Sequence, residues 1–239
     1  MQDVLSRGCH YNFTGKIYSG RGLMGVKMGT YIKSNFFKQF VLAFTVMPLL
    51  IWAMGTFPER SVLKESLCVI TVLAFCQMIG QFFWARTNRS VVANLKMRKV
   101  IKYHKIIGYT VVIILFLHPL FLVAPRFFES VISPVDAFST LITTMNLGVV
   151  LGIIAWCLML ALGITAFARE KLPMKYKTWR VFHGILALLL VAVAAWHAID
   201  LGRHFNFAMS ILILFLTTGG ILLLLKTYTF KKHKKTSEV

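Results

Sequence analysis

The chain has 239 residues, of which 57% are hydrophobic and only 15% charged, and its formal net charge is +19. A soluble domain is nearer half apolar and a quarter charged, so an ordinary water-soluble globule is excluded. The abundance of Leu, Ile, Val and Phe excludes disorder, and four cysteines in this length are too few for a disulfide scaffold. Apolar and basic together point to a membrane protein with basic loops rather than to a nucleic-acid binder.

In chain order, residues 1–35 are polar and Gly-rich, with no apolar run long enough for a signal peptide. They are expected to form a cytoplasmic extension, loosely ordered, with Met28 as an alternative start. Six apolar stretches follow, at 36–57, 64–84, 105–124, 144–168, 179–199 and 208–225. Each has about the 20 residues that a helix needs to cross a hydrocarbon core. They are too long for strands and do not alternate. Pro48 and Pro119 fall within spans, where bilayer helices tolerate them. Residues 227–239 form a basic tail expected near anionic lipid headgroups. The predicted fold class is therefore all-α, a polytopic membrane protein whose domain of six transmembrane helices occupies residues 36–226.

Twenty-three of the 27 basic residues fall before or at the start of span one, between spans two and three or at the start of three, between four and five or at the start of five, and in the tail. The other three loops hold only Arg60, Lys64, Arg126 and Arg203. Basic loops stay in the cytoplasm. Both termini are thus expected inside a cell (inner) membrane, with spans three and five both running from inside to outside.

Four of the seven histidines belong to those two co-directional spans: His104 and His118 in the third, His183 and His197 in the fifth. Each pair is 14 residues apart. Fourteen residues fall about 40° short of four full turns, so each pair shares one helix face with about 21 Å between its members. His104 comes level with His183 near the inner surface, and His118 with His197 near the outer. Ionisable side chains in a bilayer raise a functional hypothesis; the plainer alternative is that they bond neighbouring helices. The pairs are too far apart to converge on one zinc or iron ion. Two-ligand sites, one above the other, suit two haems with imidazoles on both axial positions. Gly108, Ala187 and Ala194 lie one turn from a histidine, where a flat macrocycle can approach the backbone. No Cys-x-x-Cys-His is present, so the haems are expected to be b-type.

The stretches Tyr103-His104-Lys105-Ile106-Ile107-Gly108 to His118-Pro119-Leu120, and Trp179-Arg180-Val181-Phe182-His183 to His197, resemble the ferric reductase transmembrane domain family. The run from Leu147-Gly148 through Ile164-Thr165 resembles its fourth-to-fifth-span region. That family includes ferric-chelate reductases, NADPH oxidases and the bacterial haem subunit of the methionine sulfoxide reductase system. The resemblance covers roughly residues 36–226. It implies haem ligation at all four histidines, with His104 and His183 sharing the inner haem and His118 and His197 the outer one. No Gly-rich dinucleotide fingerprint appears, so no FAD or NAD(P) site is expected in this chain.

The expected activity is electron transfer through two haems, as an oxidoreductase component that needs a separate partner. The donor is a flavin reductase or a membrane quinol. The acceptor at the outer face is a ferric chelate, oxygen or a redox protein. Lys105 and Arg180 near the inner ligands, and Arg126 and Arg203 on the outer side, are candidates to pair with haem propionates. Arg126 and Arg203, with Asp200 and His204, are also candidates for an acceptor site, solvated loop charge being the alternative. Phe75, Phe82, Phe116, Phe182 and Trp196 are candidates to pack on the porphyrins. The competing readings are a structural or assembly subunit and a metal-ion transporter. A transporter usually shows acids within its spans, and here only Glu65 and Asp200 touch them, at the ends.

Overall fold

The computed structural model describes residues 36–85, 88–128, 133–143 and 145–236. The predicted extension, residues 1–35, lies outside the described residues, as do 237–239 of the tail. Eight helices are described: α1 (Phe36–Ala53), α2 (Val62–Gly80), α3 (Arg89–Leu95), α4 (Met97–Val123), α5 (Pro134–Thr143), α6 (Leu147–Phe167), α7 (Tyr176–Leu201) and α8 (Phe207–Thr236). No strand occurs among the described residues. Six of the helices (α1, α2, α4, α6, α7 and α8) are long and apolar enough to span a bilayer. The third begins at Met97, eight residues before the predicted span at 105. Its first turns carry Arg98, Lys99, Lys102 and Lys105. Long basic side chains reach headgroups while their stems stay apolar, so hydropathy alone starts the helix too late.

Two short helices were not predicted. Both sit in connections and start on polar caps. Asn88 Oδ1 accepts from Val91 N at 3.3 Å to open α3, and Ser133 Oγ accepts from Asp136 N at 3.1 Å to open α5. α6 opens in the same way on Asn146, which accepts from Val149 N at 2.9 Å. α3 and α4 meet at Lys96, whose φ of 63° makes the corner between them.

α6 and α7 pack most extensively, followed by α2 against α4. α6 also packs on α4, and α8 closes the bundle against α1, α2 and α7. α4 and α7 are not closely packed on each other. The core is made by Val72, Phe75, Met78 and Ile79 of α2, Leu190, Val191 and Ala194 of α7, and Met209 and Ile213 of α8. Ile113, Leu120, Leu214 and Phe215 stand on the outside, as lipid-facing residues of a spanning bundle do.

Near each span proline a neighbouring helix adds a side-chain hydrogen bond to the backbone, which suits a dry bilayer core. Pro48 has no N–H for the carbonyl of Phe44, four residues earlier. The preceding turn, Leu42–Val46, is widened into a π-helix, and Gln77 of α2 donates to Phe44 O at 3.2 Å and to Thr45 Oγ1 at 3.0 Å. In the turn before Pro119, Trp156 of α6 donates to Phe116 O at 3.2 Å. Replacing Gln77 with Leu is expected to cost about 1–3 kcal/mol, the penalty of a buried carbonyl left without a donor. Thermal unfolding in detergent checks this. Adding Pro48→Ala, which restores an N–H, is expected to recover part of the loss.

Candidate functional site

The helices bring the four histidines of α4 and α7 together two by two. At the end of the bundle where the basic loops lie, the His104 and His183 rings face each other with centroids 6.5 Å apart and planes at 68°. Two imidazoles bound to one metal at about 2 Å each, with a further ~1 Å from nitrogen to ring centre, have centroids about 6 Å apart. At the far end, His118 and His197 line one cavity of about 1050 Å³, walled by Phe75, Met78, Leu115, Met159, Leu190 and Ala194. That volume matches a large ligand pocket. No group of three or more His, Cys, Asp or Glu side chains converges among the described residues.

The surroundings set each ring. His197 Nδ1 lies 2.8 Å from the carbonyl oxygen of Gly148 on α6. A carbonyl only accepts, so Nδ1 carries the proton and Nε2 keeps its lone pair for a metal. His197 fits there because Gly152 has no side chain: a Cβ at 152 would sit 2.6 Å from His197 Cε1. A Cβ at Gly148 would strike Asp200 and Leu201. Gly148 and Gly152 are four apart, the small-x-x-x-small spacing that lets two membrane helices approach. His183 is held by stacking on Trp179, at 5.0 Å and 28°. Trp179 Nε1 in turn donates to Thr165 O on α6 at 3.0 Å, and Arg169 lies 5.3 Å over the Trp179 ring. The Nδ1 atoms of His104, His118 and His183 are buried without a hydrogen-bond partner.

The remaining predicted residues separate. Gly108 has open space beside it: a Cβ there would meet only Gln81 Oε1, at 3.9 Å. Ala194 lines the far-end cavity and Ala187 packs on the core. Arg126 and Arg203 both line the cavity, joined there by Arg60 and Lys64. The whole basic complement of the far-end loops thus gathers at one cavity. Arg203 also donates to Pro58 O at 2.9 Å, while its Nε is buried without a partner. At the other end Lys105 is exposed and Arg180 half-buried. Among the candidate aromatics, Phe75 lines the cavity and Phe82 is buried in the core. Phe116, Phe182 and Trp196 are exposed and stand as outward-facing residues instead. Phe116 stacks on Trp156 at 5.4 Å. Asp200 is exposed and sits against α6, apart from the residues that line the cavity.

Several residues carry the site without having been singled out for it. Gln81, at the end of α2, places its side-chain amide beside Gly108 with both polar atoms buried and unpartnered. Its lack of charge hides it in the sequence. The glycines of α6 were legible from their spacing. His204 is buried, so the solvated-loop alternative does not hold for it. Glu65 Oε1 lies 2.9 Å from its Nε2, and Trp52 Nε1 donates to the same oxygen at 2.9 Å. Burial lowers the proton affinity of the His204 imidazole below its ordinary value; Glu65 opposes that, and Arg203 and Arg60 add to it.

The His104 and His183 rings stand at a separation that one metal could bridge, and His118 and His197 line a cavity of a size that could take a large flat ligand. Gly152→Ala is expected to force the His197 ring from its place, at about 1–3 kcal/mol of stability, the usual cost of overpacking. The same change at Gly163, where a Cβ would stand 3.3 Å from Val112, is expected to cost less. Parallel thermal melts of the two variants check the difference.

The comparisons with known proteins agree with this architecture. The profile of the ferric reductase like transmembrane component matches residues 70–194, a stretch that includes His104, His118 and His183. An uncharacterized protein of Archaeoglobus fulgidus is 42% identical over 166 residues, which cover 70% of this chain and 91% of the relative. No solved structure matches. The six-span bundle and the profile across its centre together establish that the chain belongs to the ferric reductase like transmembrane family.

Proposed function

We propose that the protein is a haem-bearing subunit that carries electrons across the membrane, from a donor on the cytoplasmic side or a membrane quinol to an acceptor at the outer face. The observation that supports this most is the pairing of four histidines at two levels of the bundle, one pair 6.5 Å apart and the other lining a single cavity. Family membership supports electron transfer across the membrane in general. His104 and His183 are the proposed ligands of an inner b-type haem, His118 and His197 of an outer one. When bound, the haems supply one-electron chemistry at potentials set by ligands and surroundings.

The chain's own part is to hold and insulate. Gly148 O orients the His197 ring and raises its basicity as a ligand. Trp179 fixes the plane of His183. A haem held by two histidines at each level would have both of its protein ligands from this chain, which would favour electron transfer over ligand binding. Phe75, Met78, Leu115, Met159, Leu190 and Ala194 give the far-end cavity an apolar wall. Arg126 and Arg203, with Arg60 and Lys64, supply cations at the mouth for propionate groups. At the inner level Arg180 and Lys105 are the proposed counterparts, and Gly108 gives the macrocycle room against the backbone. The excess of basic loops at the His104–His183 end supports a cytoplasmic side for that end and for both termini, in a cell membrane. The donor is a separate flavin reductase or quinol, and the acceptor a ferric chelate, oxygen or a redox protein.

Protein purified from cells well supplied with haem is expected to show a low-spin b-type spectrum with two haems per chain. His118→Ala and His183→Ala are each expected to retain one. Colourless wild-type protein overturns the reading, as does a His118→Ala variant that keeps both haems. A cysteine placed at Lys64 is expected to react with an impermeant reagent added outside intact cells, and one placed at Lys99 to be protected.

A further inference from the structure

Outside the histidine pairs, one ionisable cluster is buried in the bundle. His204 has no side-chain exposure and Glu65 only 28%. They come from different elements, the α7–α8 loop and the first turn of α2, and meet at 2.9 Å. Trp52 of α1 donates to Glu65 Oε1 at 2.9 Å. Phe57 packs edge-on to the His204 ring at 4.3 Å. Both ring nitrogens of His204 are buried without a hydrogen bond, so its approach to Glu65 is an ion-pair contact. This cluster does not lie apart from the proposed electron path, because His204 lines the same cavity as His118 and His197.

We infer that Glu65 and His204 form a redox-linked proton site, which takes up one proton from the outer aqueous phase when an electron reaches the His118–His197 level and gives it up when the electron leaves. This inference rests on the haem reading above. The charge balance is as follows. With Glu65 ionised and His204 neutral, the pair carries one negative charge; one proton makes it neutral overall. The groups facing it are Arg60 from the α1–α2 loop, Arg203 from its own loop and Cys68 one turn along α2, with Lys64 and Arg126 on the same cavity. While the outer haem is oxidised, these cations favour the charged pair. An added electron lowers the local positive charge by one. His204 is buried on the same cavity, so that change is felt at the pair, and it raises the proton affinity of the pair. The exposed part of Glu65 is the entry for the proton, and buried His204 behind it stabilises the protonated pair. One electron and one proton enter together, and both pass on to the acceptor or to the acceptor and water. An acceptor that needs hydrogen as well as electrons is therefore supplied from the outer side, with no proton drawn across the membrane.

The test is the midpoint potential of the haem that His118→Ala removes, followed by spectral titration at a series of pH values. In the wild type it is expected to fall as pH rises, by up to 59 mV per pH unit, which corresponds to a tenfold change for one electron. Glu65→Gln keeps the shape and an acceptor for the Trp52 N–H, and is expected to flatten the dependence with both haems retained. Trp52→Phe removes a hydrogen bond that favours the carboxylate. It is expected to keep the slope and move its window to higher pH, which a purely structural role for Trp52 does not produce. A flat wild-type potential in a two-haem protein overturns this inference alone, as does a slope unchanged in Glu65→Gln. If Glu65→Gln loses haem, the Trp52→Phe window decides, and an unmoved window overturns the inference. Colourless wild-type protein overturns the haem reading itself.

Discussion

The structure depends on a spacing constraint. Two co-directional helices, α4 and α7, each carry histidines 14 residues apart, and neither packs closely on the other. α6 packs on both and sets their separation. Direct packing of α4 on α7 would close the gap in which the rings of His104 and His183 stand 6.5 Å apart. The third helix therefore matters as much as the ligand-bearing ones. It supplies the carbonyl that orients His197, the glycines that admit that ring, and the Thr165 carbonyl that anchors Trp179 behind His183.

Interior polar contacts in this bundle follow from the absence of water. A bilayer core offers no partner to an exposed backbone carbonyl, so each proline in a span creates a demand that a neighbouring helix must meet. Gln77 meets it for α1, and Trp156 adds a bond to Phe116 O in the turn before Pro119 of α4. These contacts also fix helix positions, because association in lipid lacks the apolar driving force available in water. Small residues and a few hydrogen bonds take over that task. Gly148 and Gly152 serve packing and ligand geometry together, since the close approach they permit is what seats the His197 ring.

Charge is distributed with the same economy. The far-end loops hold four basic residues, and the fold collects all of them at the cavity that contains His118 and His197. Like charges do not gather without something that favours it. In the proposed reading, propionate groups and the Glu65–His204 pair provide the compensating negative charge. The basic loops at the opposite end face water and headgroups, where such charge is screened and needs no local partner.

The sequence by itself determined the spans, because apolar runs of bilayer length have few alternatives, and it determined which histidines share a level, because helix rise and direction are regular. The family was likewise legible in the residues around His104, His118 and His183. Other features depended on contacts between distant segments, which local periodicity does not encode. The short helices α3 and α5 hang on caps in polar connections. The outward positions of Phe116, Phe182 and Trp196 depend on how each helix is rotated in the bundle. Only the tertiary structure placed Gln81 beside Gly108, and only it joined residues 65 and 204. Their separation in the chain gives no sign of a buried pair; packing of α1, α2 and the α7–α8 loop removes His204 from water and leaves Glu65 as its neighbour.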